Sequence, residues 1–213
     1  TKSVTASVGN RGVAVFTNLS LGVLKGNYNL TFSTNYSVGG NSSITSASQA
    51  MVVRAGAPHA IFLGTAPVDV ASGANMTASP SVTIQDAFGN NKLNSGMTVK
   101  VALAKSSDGT DISGVATTSV TVDATDGVAT FTGLKFNPAG DFKLHFVDAA
   151  VGSTVSDVVS AKFTIQSATP TTVAWITQPS STVASRAAFG QTPVLEVRDA
   201  YANKVIGTTT TTA

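Results

Sequence analysis

The sequence has no cysteine, a single glutamate at Glu196, one tryptophan and few charges, and each shortage removes a class of protein. Without cysteine there are no disulfides, no zinc–thiolate centres and no thiol nucleophile. Charged residues make up 11% of the chain, and 13 Lys and Arg stand against 11 acids. The net charge of +2 therefore describes near balance rather than a basic surface. The cations are scattered without a basic run, which speaks against a nucleic-acid partner. No stretch has the apolar length to cross a bilayer as a helix. No signal peptide stands at Thr1, so the chain reads as an interior piece of a longer mature protein. Good helix formers (Glu, Leu, Lys, Gln) are scarce, while Thr, Val, Ser, Gly and Asn abound, and this predicts an all-β chain. Such a cysteine-free composition suits an exported, extracellular or cell-surface protein, although a cytosolic protein can also lack cysteine.

What is present is a repeat. At an offset of 113, Val70 meets Val183, Pro80 meets Pro193, Val82 meets Leu195, Ile84 meets Val197, Asp86 meets Asp199, Phe88 meets Tyr201 and Asn90 meets Asn203. At an offset of 112, Pro58 meets Pro170, Ile61 meets Val173, Leu63 meets Trp175 and Pro67 meets Pro179. "GVAVFTNL" (12–19) matches "GVATFTGL" (127–134), and "GNYNLTF" (26–32) matches "GDFKLHF" (140–146). Drifts of one or two residues in offset are loop insertions and deletions. The expected organisation is the C-terminal half of one module (1–55), a complete module (56–168) and the N-terminal half of a third (169–213). The period of about 113 residues is the size of a sandwich domain. A half sandwich would leave an apolar face in water. Each half is therefore expected to be completed by protein, either further chain of the same polypeptide or a neighbouring copy.

Within 56–168, alternation predicts the strands and the core. Ile61, Leu63, Val82, Ile84, Met97, Val99, Val101, Leu103, Val120, Val122, Ala129, Phe131, Phe142, Leu144, Phe146, Phe163 and Ile165 fall on the inward faces. Seven or more short strands with one apolar face each predict a two-sheet β-sandwich. "DAFGN" (86–90) has turn chemistry: Asp86 to accept backbone N–H groups, Gly89 for a positive φ, and Asn90. "DATDG" (123–127) reads as a hairpin turn.

These residues resemble bacterial immunoglobulin-like modules of the invasin and intimin type. The resemblance rests on Asp86-Ala87-Phe88-Gly89-Asn90, on Gly96 with Val99 and Val101, on Asp123 to Phe131, and on Gly140 with Phe142 and Leu144. It implies tandem immunoglobulin-like sandwiches in a surface adhesin, stalk or filament, and it carries no ligand with it. The third module departs from the pattern at Ala202, where the turn glycine is expected, so a looser or different turn is expected there.

No catalytic residue is expected. His59 and His145 stand alone, without a metalloprotease, serine-hydrolase or nucleotide-binding pattern. His145 alternates outward between Leu144 and Phe146 and reads as an ordinary strand histidine. No cofactor is expected. Calcium is the best metal candidate, at "SDGTD" (107–111) and "DATDG", but neither forms a calcium-loop motif and ordinary Asx turns explain both. Asn18, Asn29, Asn35, Asn41 and Asn75 each open an N-x-S/T sequon and are candidate glycosylation sites. The leading functional expectation is a non-enzymatic structural and adhesive repeat segment. Its partners would be neighbouring repeats, other copies of the protein, glycans or a host or cell-surface ligand. The alternative is a set of carbohydrate-binding or spacer modules of a secreted enzyme. That reading wants an exposed aromatic platform, whereas Trp175 matches the inward Leu63.

Overall fold

A computed structural model of the chain describes residues 13–17, 19–33, 47–92, 96–121 (backbone only for 119–121) and 127–206. All regular structure among them is strand. Strands β1 (Gly26–Phe32) and β2 (Ala47–Val53) precede β3 (Ala60–Leu63), β4 (Val70–Ala71), β5 (Ser81–Gln85), β6 (Thr98–Lys105), β7 (Thr118–Thr121) and β8 (Val128–Thr130). Then come β9 (Gly140–Asp148), β10 (Val158–Val159), β11 (Phe163–Gln166), β12 (Pro170–Thr177) and β13 (Val194–Asp199).

Residues 60–166 form two sheets over one core, an arrangement compatible with a β-sandwich. The larger sheet runs β4-β11-β9-β6-β7, with β10 also on β9; the smaller runs β3-β5-β8. Ile61, Val82, Ile84, Ala129 and Phe131 from the smaller sheet and its continuation share one buried cluster with Val99, Val101, Leu103, Leu144, Phe146, Phe163 and Ile165 from the larger. The Phe131 and Phe146 rings meet across it at 5.3 Å between centroids, in a tilted arrangement.

The alternation in "MTVKVALA" places Met97, Val99, Val101 and Leu103 inward, and all four are buried. Leu63 and Phe142 are half-buried at the margin of the cluster. The side chains of Val120 and Val122, and the turn 123–126, lie outside the described residues. The alternation does not foretell that Ala102 and Ala104, on the outward face of β6, are also buried. Ala102 stands opposite His145 and Ala104 bridges to Asp111, so chain and side chains cover that face as well. Met76, Leu134 and Phe136 close one end of the core. They are brought there by irregular chain: Met76 N–H donates to Leu134 O at 2.8 Å and Gly73 N–H to Phe136 O at 2.9 Å.

Two further strand pairs repeat details of this core. In β1–β2, Gly26 faces Val53 and Tyr28 faces Met51; in β9–β11, Gly140 faces Ile165 and Phe142 faces Phe163. The register is the same, and Phe16 and Phe32 pair at 5.2 Å and 56°, as Phe131 and Phe146 do at 5.3 Å and 55°. In β12–β13, Val173 faces Val197 and Trp175 faces Leu195, as Ile61 faces Ile84 and Leu63 faces Val82 in β3–β5. The expected apolar face is half-buried on β1–β2, at Leu30, Phe32, Met51 and Val53, and open to solvent on β12–β13. Val173 is 59% exposed, Trp175 50% and Leu195 47%, whereas Ile61 and Val82 are buried. The expectation that Trp175 points inward therefore holds for its register position and not for its burial.

Candidate functional interface

The clearest constructed site is the turn after β5, which joins three parts of the chain. Asp86 N–H donates to Asn90 O (3.0 Å) and Gly89 N–H to Asp86 O (3.1 Å), with Gly89 at φ 82°. The Asp86 carboxylate accepts from the backbone of Phe88 and Asn90 on Oδ1, both at 2.9 Å. Its Oδ2 accepts from Gly56 N–H at 2.8 Å, in the linker between β2 and β3. Asn90 continues the chain of contacts: its amide donates to Asp86 Oδ2 (2.9 Å) and to Val23 O (3.4 Å), and its Oδ1 accepts from Lys25 N–H. Both side chains are buried. Phe88 lies against Gly22, where a Cβ would come within 2.8 Å of the ring. The turn therefore fastens the linker and the segment before β1 to the end of β5.

The same construction follows β13. Asp199 N–H donates to Asn203 O (3.0 Å) and Ala202 N–H to Asp199 O (3.1 Å). Asp199 Oδ1 accepts from Tyr201 N–H (2.8 Å) and Asn203 N–H (2.9 Å), and Oδ2 accepts from Ala168 N–H (2.9 Å), in the linker between β11 and β12. The Asn203 amide donates to Asp199 Oδ2 (2.9 Å), Asn137 O (2.7 Å) and Ser72 Oγ (2.9 Å). Its Oδ1 accepts from Ala139 N–H at 2.9 Å. The Tyr201 ring covers Gly73 so closely that a Cβ there would overlap it. Asn137 and Ala139 stand 114 residues after Val23 and Lys25, the offset that relates β1 to β9.

The expectation of a looser turn at Ala202 is corrected. Its hydrogen bonds match those at Gly89, and Ala202 takes φ 64° to make them. The carboxylate's four donors and the docked asparagine impose the left-handed conformation on an alanine.

Electrostatics follow from the donors. Burial disfavours the charged form of Asp86, but N–H groups from Gly56, the Asn90 side chain and backbone, and Phe88 outweigh it and hold the carboxyl well below the usual range. At Asp199 burial is likewise opposed, by Asn203, Ala168 and Tyr201, and the pKa falls to about 2.

The other sequence candidates are dispersed. Asn29 on β1 and Asn75 beside Lys135 are exposed; Asn18, Asn35 and Asn41 lie outside the described residues. Asp108 accepts from Thr110 N–H (2.9 Å) and Oγ1 (2.8 Å), an Asx turn, and Asp111 pairs with His145. Among the described residues no group of three or more acids or histidines is set to hold a metal ion. His59 is exposed. The reading of His145 as an ordinary strand histidine is corrected: it sits between two carboxylates, Asp111 and Asp157, that are 34 and 12 residues away in sequence. No local spacing pattern announces that meeting.

No family model matches the chain, and no curated protein does. Among solved structures, one described as "Structure of Protease" is similar at 17% identity over 51% of this chain and 18% of that chain, with a TM-score of 0.25. The chain thus spans less than a fifth of that protein's length, and a likeness at this level carries no argument about fold or activity.

Proposed function

We infer that the chain is a non-enzymatic structural and adhesive segment of an extracellular surface protein, stalk or filament, built from immunoglobulin-like sandwiches in tandem. The clasp carries this reading. An aspartate, an aromatic and an asparagine bind a linker and a preceding loop in the same way at two places 113 residues apart. The contacts go mainly to backbone groups, which every unit of a repeat can offer. With Pro58 in the first linker and Pro170 opening β12 directly after the second, such a joint limits bending between units and suits a spacer that holds a binding surface away from a cell. The partners of this segment are neighbouring repeats or other copies of the protein, with glycans or a surface ligand elsewhere along it. The carbohydrate-module alternative has the half-exposed Trp175 in its favour, but that residue occupies the register of Leu63, which packs against a core.

Small-angle scattering of the chain against an Asn90→Ala/Asn203→Ala double variant tests the reading. The variant is expected to show a broader spread of molecular dimensions, with the 60–166 core still melting cooperatively. Identical scattering profiles would remove the clasp as a determinant of orientation, and the stalk reading with it.

A further inference from the structure

We propose that His145, Asp111 and Asp157 form a proton-operated latch that holds two loops against the outer face of the larger sheet. His145 projects from β9, 18% exposed at its side chain. Its Nδ1 lies 2.7 Å from Asp111 Oδ1, in the loop after β6, and its Nε2 lies 2.6 Å from Asp157 Oδ2, just before β10. A neutral imidazole has one N–H and one lone pair, so one carboxylate would face a lone pair at hydrogen-bond distance. Only the imidazolium donates to both. Protonation therefore closes the latch, and deprotonation must release at least one arm.

The surrounding charges agree with that assignment. Burial disfavours the imidazolium, and the hydrogen bonds from Asp111 and Asp157 together with their charges overcome it, so the pKa is raised from 6.5. On the same outward face, Lys143 of β9 and Lys100 of β6 are the cations two positions along each strand. The residue of β10 beside His145 is Val159, which is uncharged. A raised folded-state pKa means that the stabilisation is complete below the ordinary histidine value and is lost as pH rises through the raised one.

The arms reach structure that matters. The Asp111 loop bonds β6 through Ile112 N–H to Leu103 O (2.9 Å) and Lys105 N–H to Thr110 O (2.9 Å). Asp157 follows Ser156, whose N–H donates to His59 O (3.0 Å) and whose O accepts from Ile61 N–H (2.8 Å). The second arm thus grips the start of β3 and the linker before it. The latch does not depend on the tandem-array reading, since all three residues lie over one core.

The test is a nuclear magnetic resonance titration of the His145 imidazole in the whole chain, with amide exchange followed over 106–117 and 149–157 and corrected for intrinsic rates. The expected midpoint lies above 6.5, with both ring nitrogens protonated below it and protection of at least one of the two loops lost above it. Asp111→Asn and Asp157→Asn should each lower the midpoint, and each should expose its own loop at every pH. A midpoint at or below 6.5, a ring singly protonated below its midpoint, or loop protection that ignores the titration would overturn the proposal. If one variant fails to fold, the wild-type midpoint and the other variant still decide it.

Discussion

Ala202 is a single residue held against its own preference. An L-residue in the left-handed region costs roughly 1–2 kcal/mol, and glycine there gives back part of the gain through the larger entropy of its unfolded chain. Ala202→Gly is therefore expected to stabilise the β12–β13 end by about 0.5–1 kcal/mol, read as a rise in the melting midpoint reported by Trp175 fluorescence. Asp199 makes the opposite demand on solvent. Its folded pKa of about 2 lies below the ordinary carboxylate value of 3.8, so its contribution is present above about 3.8 and is lost as pH falls toward 2. Trp175 on β12 pairs with β13, which carries Asp199, so its emission should change over that acid interval. In Asp199→Asn that acid transition should shrink, and an unchanged transition would place the effect in other carboxylates.

Strands here owe their placement to partners more than to their own sequences. β9 is nine residues long; one edge is covered by β6, and β11 and β10 share the other. Phe131 follows β8 and meets Phe146 of β9 with no exposed surface on either ring. Phe131→Ala would remove the ring that ties the smaller sheet to the larger and is expected to cost about 3–5 kcal/mol in chemical denaturation. A loss below about 1 kcal/mol would mean that the two sheets are held together elsewhere.

At the scale of the molecule, β1–β2 and β12–β13 carry complementary parts of one pattern. The β12–β13 pair matches the register of β3–β5, and β1–β2 that of β9–β11. In the core formed by 60–166 the apolar face of β3–β5 shares one cluster with β6, where Val99, Val101 and Leu103 are buried. On β12–β13 the matching face, with Val173, Trp175 and Leu195, stands open, and an apolar face left in water is costly.

The inward faces of the strands, the turn at Asp86 and the matched positions 113 residues apart were all legible in the sequence, because alternation, turn chemistry and repetition are local or periodic properties. Ile61, Val82, Ile84, Val99 and Phe131 could be placed from spacing alone. The second role of Asp86 and Asn90 could not. A carboxylate that completes its own turn has an oxygen to spare, and which N–H fills it depends on where the linker at Gly56 passes. The same limit hid the burial of Ala102 and Ala104 and the meeting of His145 with Asp111 and Asp157. Sequence determined which faces are apolar and where the chain turns; the tertiary structure decided which distant polar groups meet, because hydrogen bonds are set by distances of about 3 Å that no sequence separation specifies.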